Sequence, residues 1–382
     1  MRLHKFVLHS LFLLAEVSST AFAYNETLFP FLGPNDGKAI VMIEHHMNQC
    51  AKMIYDFQAA MELPAITGSK KLCVNGFAEG YPCLNVNLLS FMNLATLNSA
   101  HGYPDDLANH ANDVWGWTHW KSKREFAMIS LYRGTAFVEI TDPVNPVYLG
   151  VLPKHNGVGS LWGDVKVYRH YAYIVSESSE QGMQVFDLFQ LLSTAKPTLF
   201  SETAHYSSIG STHNIKINTK TGFAYAVGTQ TCSGGLHMIN ITTPVIPAYA
   251  GCYSDDGYTH DVQCVLYKGN DSRYKGREIC FAANEDTVTI VDVTTKSSPV
   301  QLSRTSYTSQ RYTHQGWLTG DHNYFIFGDE LDEMQLGLNT QTYVLDVSDL
   351  ISPTMAGVHT GSTQAIDHNH YVKGDLVYQA NY

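Results

Sequence analysis

From about residue 110 onward, apolar residues come in short bursts cut by turn residues, and no stretch keeps the spacing of an amphipathic helix. One line recurs: FVEITDPVNPVYLG from Phe137, VFDLFQL from Val185, HMINITTPVIPAYAG from His237, TIVDVTTKSSPVQLS from Thr289 and YVLDVSDLISPTMAG from Tyr343. Its central polar residue is Glu139, Asp187, Asn240, Asp292 and Asp346, at spacings of 48, 53, 52 and 54. Each copy reads as an alternating strand, a turn that usually carries proline, and another apolar strand.

A second line runs in phase with it: NDVWGW at Asn112, GDVKVY at Gly163, HNIKIN at His213, HDVQCV at His260, HQGWLT at His314 and HNHYVK at His368. Between the two lines lie further strands, such as YAYIVSE from Tyr171 and ICFAANE from Ile279. Four short strands per repeat of about fifty residues make one propeller blade. The expected fold is therefore all-β, a β-propeller of four-stranded blades, about seven in the complete ring, with about five and a half present here. The missing strands would amount to on the order of 70 residues beyond Tyr382. Asn85–Leu94 reads as an outer strand that completes the last blade, which places the propeller at 85–382.

Residues 1–23 read as a signal peptide. A basic start (Arg2, His4, Lys5) leads into an apolar run that ends before Ala21-Phe22-Ala23, and Glu16 leaves that run too short for a membrane span. Residues 24–84 form an N-terminal segment with a short helix over Glu44–Met61, stopped by Pro64, and a cysteine loop. Cys73 with Cys83, Cys264 with Cys280 and Cys232 with Cys252 are candidate disulfides, leaving Cys50 over. Asn25, Asn240 and Asn270 open N-glycosylation sequons. These features together point to an extracellular protein with no transmembrane segment. A net charge of −11 with no basic stripe argues against nucleic acid.

The run YPCLNVNLLSF, then NDVWGW, TCSGGLHMINIT, YTHDVQC, GREICFAANEDTVTIVDV, YTHQGWL, GDELDE and DHNHYVKGDLVYQANY resembles the choice-of-anchor B family. These are extracellular proteins built on repeats of the LVIVD type, and the resemblance spans about Cys73 to Tyr382. It implies a secreted or surface-exposed propeller and supplies no reaction.

The candidate chemistry follows from topology. The first strand of each blade starts at one face beside the axis, and in four successive repeats its opening residue is His213, His260, His314 and His368. The second strand returns to that face, where Glu177, Glu285, Asp329 and Glu330 stand. Imidazoles with carboxylates form a ligand set for a transition metal, with Glu285 and Glu330 as the acidic members. The same histidines would also serve as a lock between blades, satisfying backbone groups at a tight turn. GDELDE at Gly328 is rich enough in oxygen for a calcium ion but lacks the spaced calcium loop, so it reads as a solvated loop. Trp115, Trp117, Trp120 and Trp162 read as core residues or as part of a binding surface. No nucleophile elbow, phosphate loop or dinucleotide fingerprint occurs. The leading expectation is a non-catalytic propeller that binds an extracellular protein or glycan on the histidine rim. The alternative is a metal-dependent enzyme using the histidine ring.

Overall fold

The computed structural model describes residues 63–100 and 110–382. The signal-peptide region, the helix expected over Glu44–Met61, Cys50 and Asn25 lie outside the described residues. The chain divides into two compact units, one ending at Thr96 and one running Leu97–Tyr382.

In the first unit a hairpin pairs Phe77–Ala78 with Tyr81–Pro82, and the Cys73–Cys83 disulfide closes over it. Asn85–Leu94 does not form the expected propeller strand. Leu88 and Phe91 instead make isolated bridges to Lys71 and Ile66 of the same unit. Local chemistry explains this. Asn85 takes a φ of 58°, which breaks an extended run, and Asn87 Oδ1 accepts the Cys73 amide at 3.0 Å. The segment ends in the short helix Leu94–Asn98, where Asn93 Oδ1 accepts the Thr96 amide at 2.9 Å.

The second unit is a β-propeller. Five sheets each hold four antiparallel strands, and a hairpin of Asp367–Lys373 with Leu376–Asn381 follows them. The first strands of successive sheets (Ala111–Thr118, Gly163–Tyr168, Asn214–Asn218, Asp261–Leu266, Thr313–Leu318 and Asp367–Lys373) lie side by side in chain order. Not every strand alternates in burial as the sequence suggests, although Ala111–Thr118 does for most of its length. Gly134–Val138 and Glu278–Ala283 are buried end to end, the latter in a sheet that packs between its two neighbours. Phe137 stacks on Phe186 at 4.6 Å and Phe281 on Phe325 at 5.6 Å, filling the seams between blades. Each such ring contributes about 2–3 kcal/mol by burial. Thr354–Thr360, the fourth strand of its sheet, meets solvent along its whole length, whereas the fourth strand of the first blade, Val147–Pro153, is mostly buried.

The repeating polar residue that ends the third strand has a local job. Asp187, Asn240, Asp292 and Asp346 each accept the amide two residues ahead, at 2.8–3.0 Å. This Asx-turn aims the chain at the fourth strand. Glu139 instead takes two bonds from Arg124, at 2.8 and 2.7 Å. The second blade departs from the pattern. A short 3-10 turn at Leu188–Ser193 carries the chain to Thr198–Leu199, which adds a parallel strand to the first blade before Ala204–Tyr206 completes the second.

All three expected disulfides are present, with Cys232–Cys252 and Cys264–Cys280 joining strands or loops within single blades. Between the first two blades the Lys154 ammonium is buried and donates to Ser176 Oγ at 2.8 Å. Burial pulls its pKa from 10.5 down to about 7. Its contribution to stability is therefore fully present above about pH 10.5 and is lost as the pH falls toward 7. Lys154→Met is expected to gain about 2–4 kcal/mol over wild type at pH 6–7. That gain should shrink toward pH 10, as denaturant titrations at several pH values would show.

Candidate functional site

Where the first strands begin, the four rim histidines form a continuous arc. Ring centroids are 4.4 Å apart for His213 and His260, 4.1 Å for His260 and His314, and 4.2 Å for His314 and His368. Strand register explains how two of them reach the axis. His314 falls between Thr313, paired with Asp329, and Gln315, paired with Gly328. His368 falls between Asp367 and Asn369 in the same way. Each is the extra residue of a β-bulge, which turns its side chain out of the pleat.

The imidazoles are fixed through one nitrogen. His260 Nδ1 donates to the His314 carbonyl at 2.9 Å, and His314 Nδ1 donates to the His368 carbonyl at 3.0 Å. In the first blade Asn112, also at a bulge, makes the equivalent bond to the Gly163 carbonyl at 3.0 Å. A carbonyl only accepts, so Nδ1 carries the proton and Nε2 keeps its lone pair. Nε2 of His314 lies 3.6 Å from Glu330 Oε2, and Nε2 of His368 lies 3.9 Å from Glu330 Oε1. One donor atom from each of these three residues lies within 4.8 Å of the others. Tyr382 donates to Glu330 Oε1 at 2.6 Å and orients the carboxylate.

Electrostatics split the arc. Burial, and then the neighbouring imidazoles, hold His260 and His314 well below the usual histidine range. Burial also lowers His368, against the pull of Glu330. His213 goes the other way. Burial would lower it, but the Glu177 carboxylate, 2.5 Å from its Nδ1, outweighs that and raises it. Three neutral imidazoles thus stand beside one that favours its proton.

Glu285 is not part of the three-residue donor group. It sits half-buried in a hairpin at a φ of 60°, and its backbone pairs with Thr313. Its charge acts on two tyrosines that the sequence reading missed. Tyr258 and Tyr312 are pushed well above 10 by burial and by Glu177, Glu285 and Glu330. The signal was available, because Tyr-Thr-His stands at both Tyr258–His260 and Tyr312–His314.

GDELDE is not the solvated loop that its composition suggests. Asp329, Glu330, Asp332 and Glu333 are all buried. Asp329 accepts the amides of Arg311, Tyr312 and Leu331 at 2.6–3.1 Å and the Tyr307 hydroxyl at 2.7 Å. Asp332 accepts from Tyr343 and Glu333 from the Gln341 amide. The acids hold the loop against the blade. Among the sequon residues, Asn270 is exposed, while Asn240 is half-buried and its side chain is used in the Asx-turn. Trp117 is in the core, Trp120 is exposed, and Trp115 lies under the Lys166 ammonium at 4.6 Å.

Neither a protein-family model nor a curated protein matches the chain. Solved structures of similar fold include the Cps50 (Swd1) β-propeller domain of Myceliophteria thermophila, at 10% identity over 72% of this chain and 80% of that one, with a TM-score of 0.45. A functionally unknown protein of Desulfotomaculum acetoxidans is 10% identical over 67% and 71% of the two chains, with a TM-score of 0.44. A hypothetical selenium-binding protein of Sulfolobus tokodaii is 9% identical over 63% and 60%, with a TM-score of 0.41. At these levels of likeness no functional role is taken from any of them. No helix among the described residues is long and apolar enough to cross a membrane.

Proposed function

We propose that this protein is an extracellular β-propeller that binds a divalent transition-metal ion on its axis through His314, His368 and Glu330. In this reading the rim around the ion is the face offered to an extracellular protein or glycan. The observation that carries it is the convergence of two Nε2 atoms on one buried carboxylate, with the His314 ring locked through Nδ1. An imidazole fixed by its distal N–H and facing a carboxylate is the usual dress of a metal ligand. Three disulfides and the resemblance to the choice-of-anchor B proteins support placement outside the cell.

The lock and the ligand roles use different nitrogens, so they can be separated. Asn112 shows that asparagine makes the blade-to-blade bond by itself. His314→Asn is therefore expected to keep the lock and remove the metal donor. Full-length protein purified without chelators or a histidine tag, analysed for metals, should contain an ion that is lost from His314→Asn and from Glu330→Gln. The melting temperatures of the metal-free proteins should stay alike. Equal metal content in wild type and both variants would overturn the reading and leave the arc as a lock alone.

A further inference from the structure

A second donor group lies away from the arc, where the first two blades meet. His155 follows the last strand of the first blade, while Glu202 and His205 belong to the outer edge of the second. One donor atom from each of the three lies within 4.8 Å of the others. The group borders a cleft of about 630 Å³, whose wall includes His155, Glu180, His205, Ser208, Gln230 and Thr231.

Hydrogen bonding prepares these residues as it prepares the arc. His205 Nε2 donates to the Gln181 carbonyl at 2.8 Å, so its Nδ1 keeps the lone pair. His155 Nδ1 bonds Glu202 Oε1 at 2.7 Å, and Glu202 Oε2 is buried without a hydrogen bond. A carboxylate oxygen withdrawn from water and left without a donor is costly unless a cation meets it. Gln181 ties the group together. It is fully buried, its side chain accepts the His155 amide at 3.0 Å, and its carbonyl holds His205. Its own amide is anchored to Gln184 at 2.9 Å, and Gln184 in turn to the Pro153 carbonyl at 2.9 Å.

We infer that His155, Glu202 and His205 form a second divalent-metal site, with two imidazoles and one carboxylate as ligands and its remaining positions open to the cleft. That is the ligand set of an open zinc site, in which three protein donors leave room for water or a small ligand. The imidazoles now stack face to face, with centroids 3.6 Å apart and planes 5° from parallel. Rings stacked in parallel planes cannot both aim an in-plane lone pair at one ion, so one ring must turn. His155, with 36% of its side chain exposed, is the ring to do so, giving up its bond to Glu202. His205 is pinned by Gln181 and supplies the fixed donor beside Glu202.

The test is calorimetric titration of the full chain, stripped of metal, with zinc chloride. It is run on wild type, Glu202→Gln, His205→Ala and Gln181→Ala, each also in a His314→Asn background that lacks the axial donor. Glu202→Gln and His205→Ala should each abolish one zinc site in both backgrounds. Gln181→Ala should weaken that site by roughly 10–100-fold, as loss of a supporting hydrogen bond does elsewhere. Glu202→Gln is nearly isosteric and decides the matter should His205→Ala fail to fold. Unchanged zinc stoichiometry and affinity in Glu202→Gln would overturn the inference and leave a stacked histidine pair with a structural role alone. Zinc that disappears with His314→Asn alone would overturn it as well. Axial binding can fail while this site persists, so the two readings stand or fall separately.

Discussion

Gly251→Ala is expected to lower the melting temperature by roughly 6–16 °C, while Gly357→Ala, at the matching position two blades later, should leave it nearly unchanged. Both glycines end the same repeated line. A Cβ on Gly251 would stand 1.7 Å from the Lys296 carbonyl oxygen and 2.4 Å from its carbon, whereas one on Gly357 would meet nothing within 4 Å. Lys296 cannot retreat easily. Its ammonium bonds Glu278 at 2.9 Å and the Val293 carbonyl at 2.7 Å, and lies 4.2 Å from the centre of the Phe223 ring in the neighbouring blade. The insertion must push backbone apart, at about 3–4 kcal/mol, the upper end of overpacking costs. Thermal unfolding of the two variants is the comparison to make, and equal losses would show that blade contact at Gly251 is not what sets the cost.

That contrast also marks what a sequence can carry. The glycine itself is plain in three copies of the line, at Gly150, Gly251 and Gly357, but whether the next blade presses on it is a matter of tertiary contact. The blade plan was legible because every repeat restates it, and the Asx-turn residue recurs for a reason confined to three residues. All three cysteine pairs were readable from loop and strand spacing. The bulges at His314 and His368 were not, because an extra residue in one strand shows only against its partner. Composition misled at GDELDE, where acids usually mean solvent but here cap backbone amides. It misled again at Asn85–Leu94, whose apolar alternation suits a strand although Asn85 turns the chain away. The arc itself was placed correctly on one face from topology, yet its tautomers, and so its separate lock and donor nitrogens, needed the hydrogen-bond partners.

Below the arc the axis carries charge, and here the cost of mutation should be largest. Lys166 contacts Asp164 and, at 3.4 Å, Asp113, while Lys216 pairs with Asp261 at 2.9 Å. These acids also brace the blades, since Asp164 accepts the Ile215 amide at 2.9 Å and Asp113 the Val165 amide at 3.3 Å. Three carboxylates face two ammonium groups, so one acid must stay protonated for the layer to balance. Burial raises Asp261 as well, and pushes Asp113 up to about 8, against the pull of Lys166. Lys216→Met removes half the positive charge and strands Asp261, at an expected cost of about 3–5 kcal/mol. Adding Asp261→Asn to that variant should recover most of the loss, because no uncompensated charge then remains buried. The same layer sets a pH dependence. A carboxyl raised from 3.8 to about 8 lends stability that is full below its unfolded value and is lost as the pH climbs through 8. Relative to Asp113→Asn, wild type should therefore lose stability from about pH 4 to 8 in denaturant titrations, the opposite contribution of Lys154 being common to both proteins. A difference that does not change over that range would place the titrating group elsewhere.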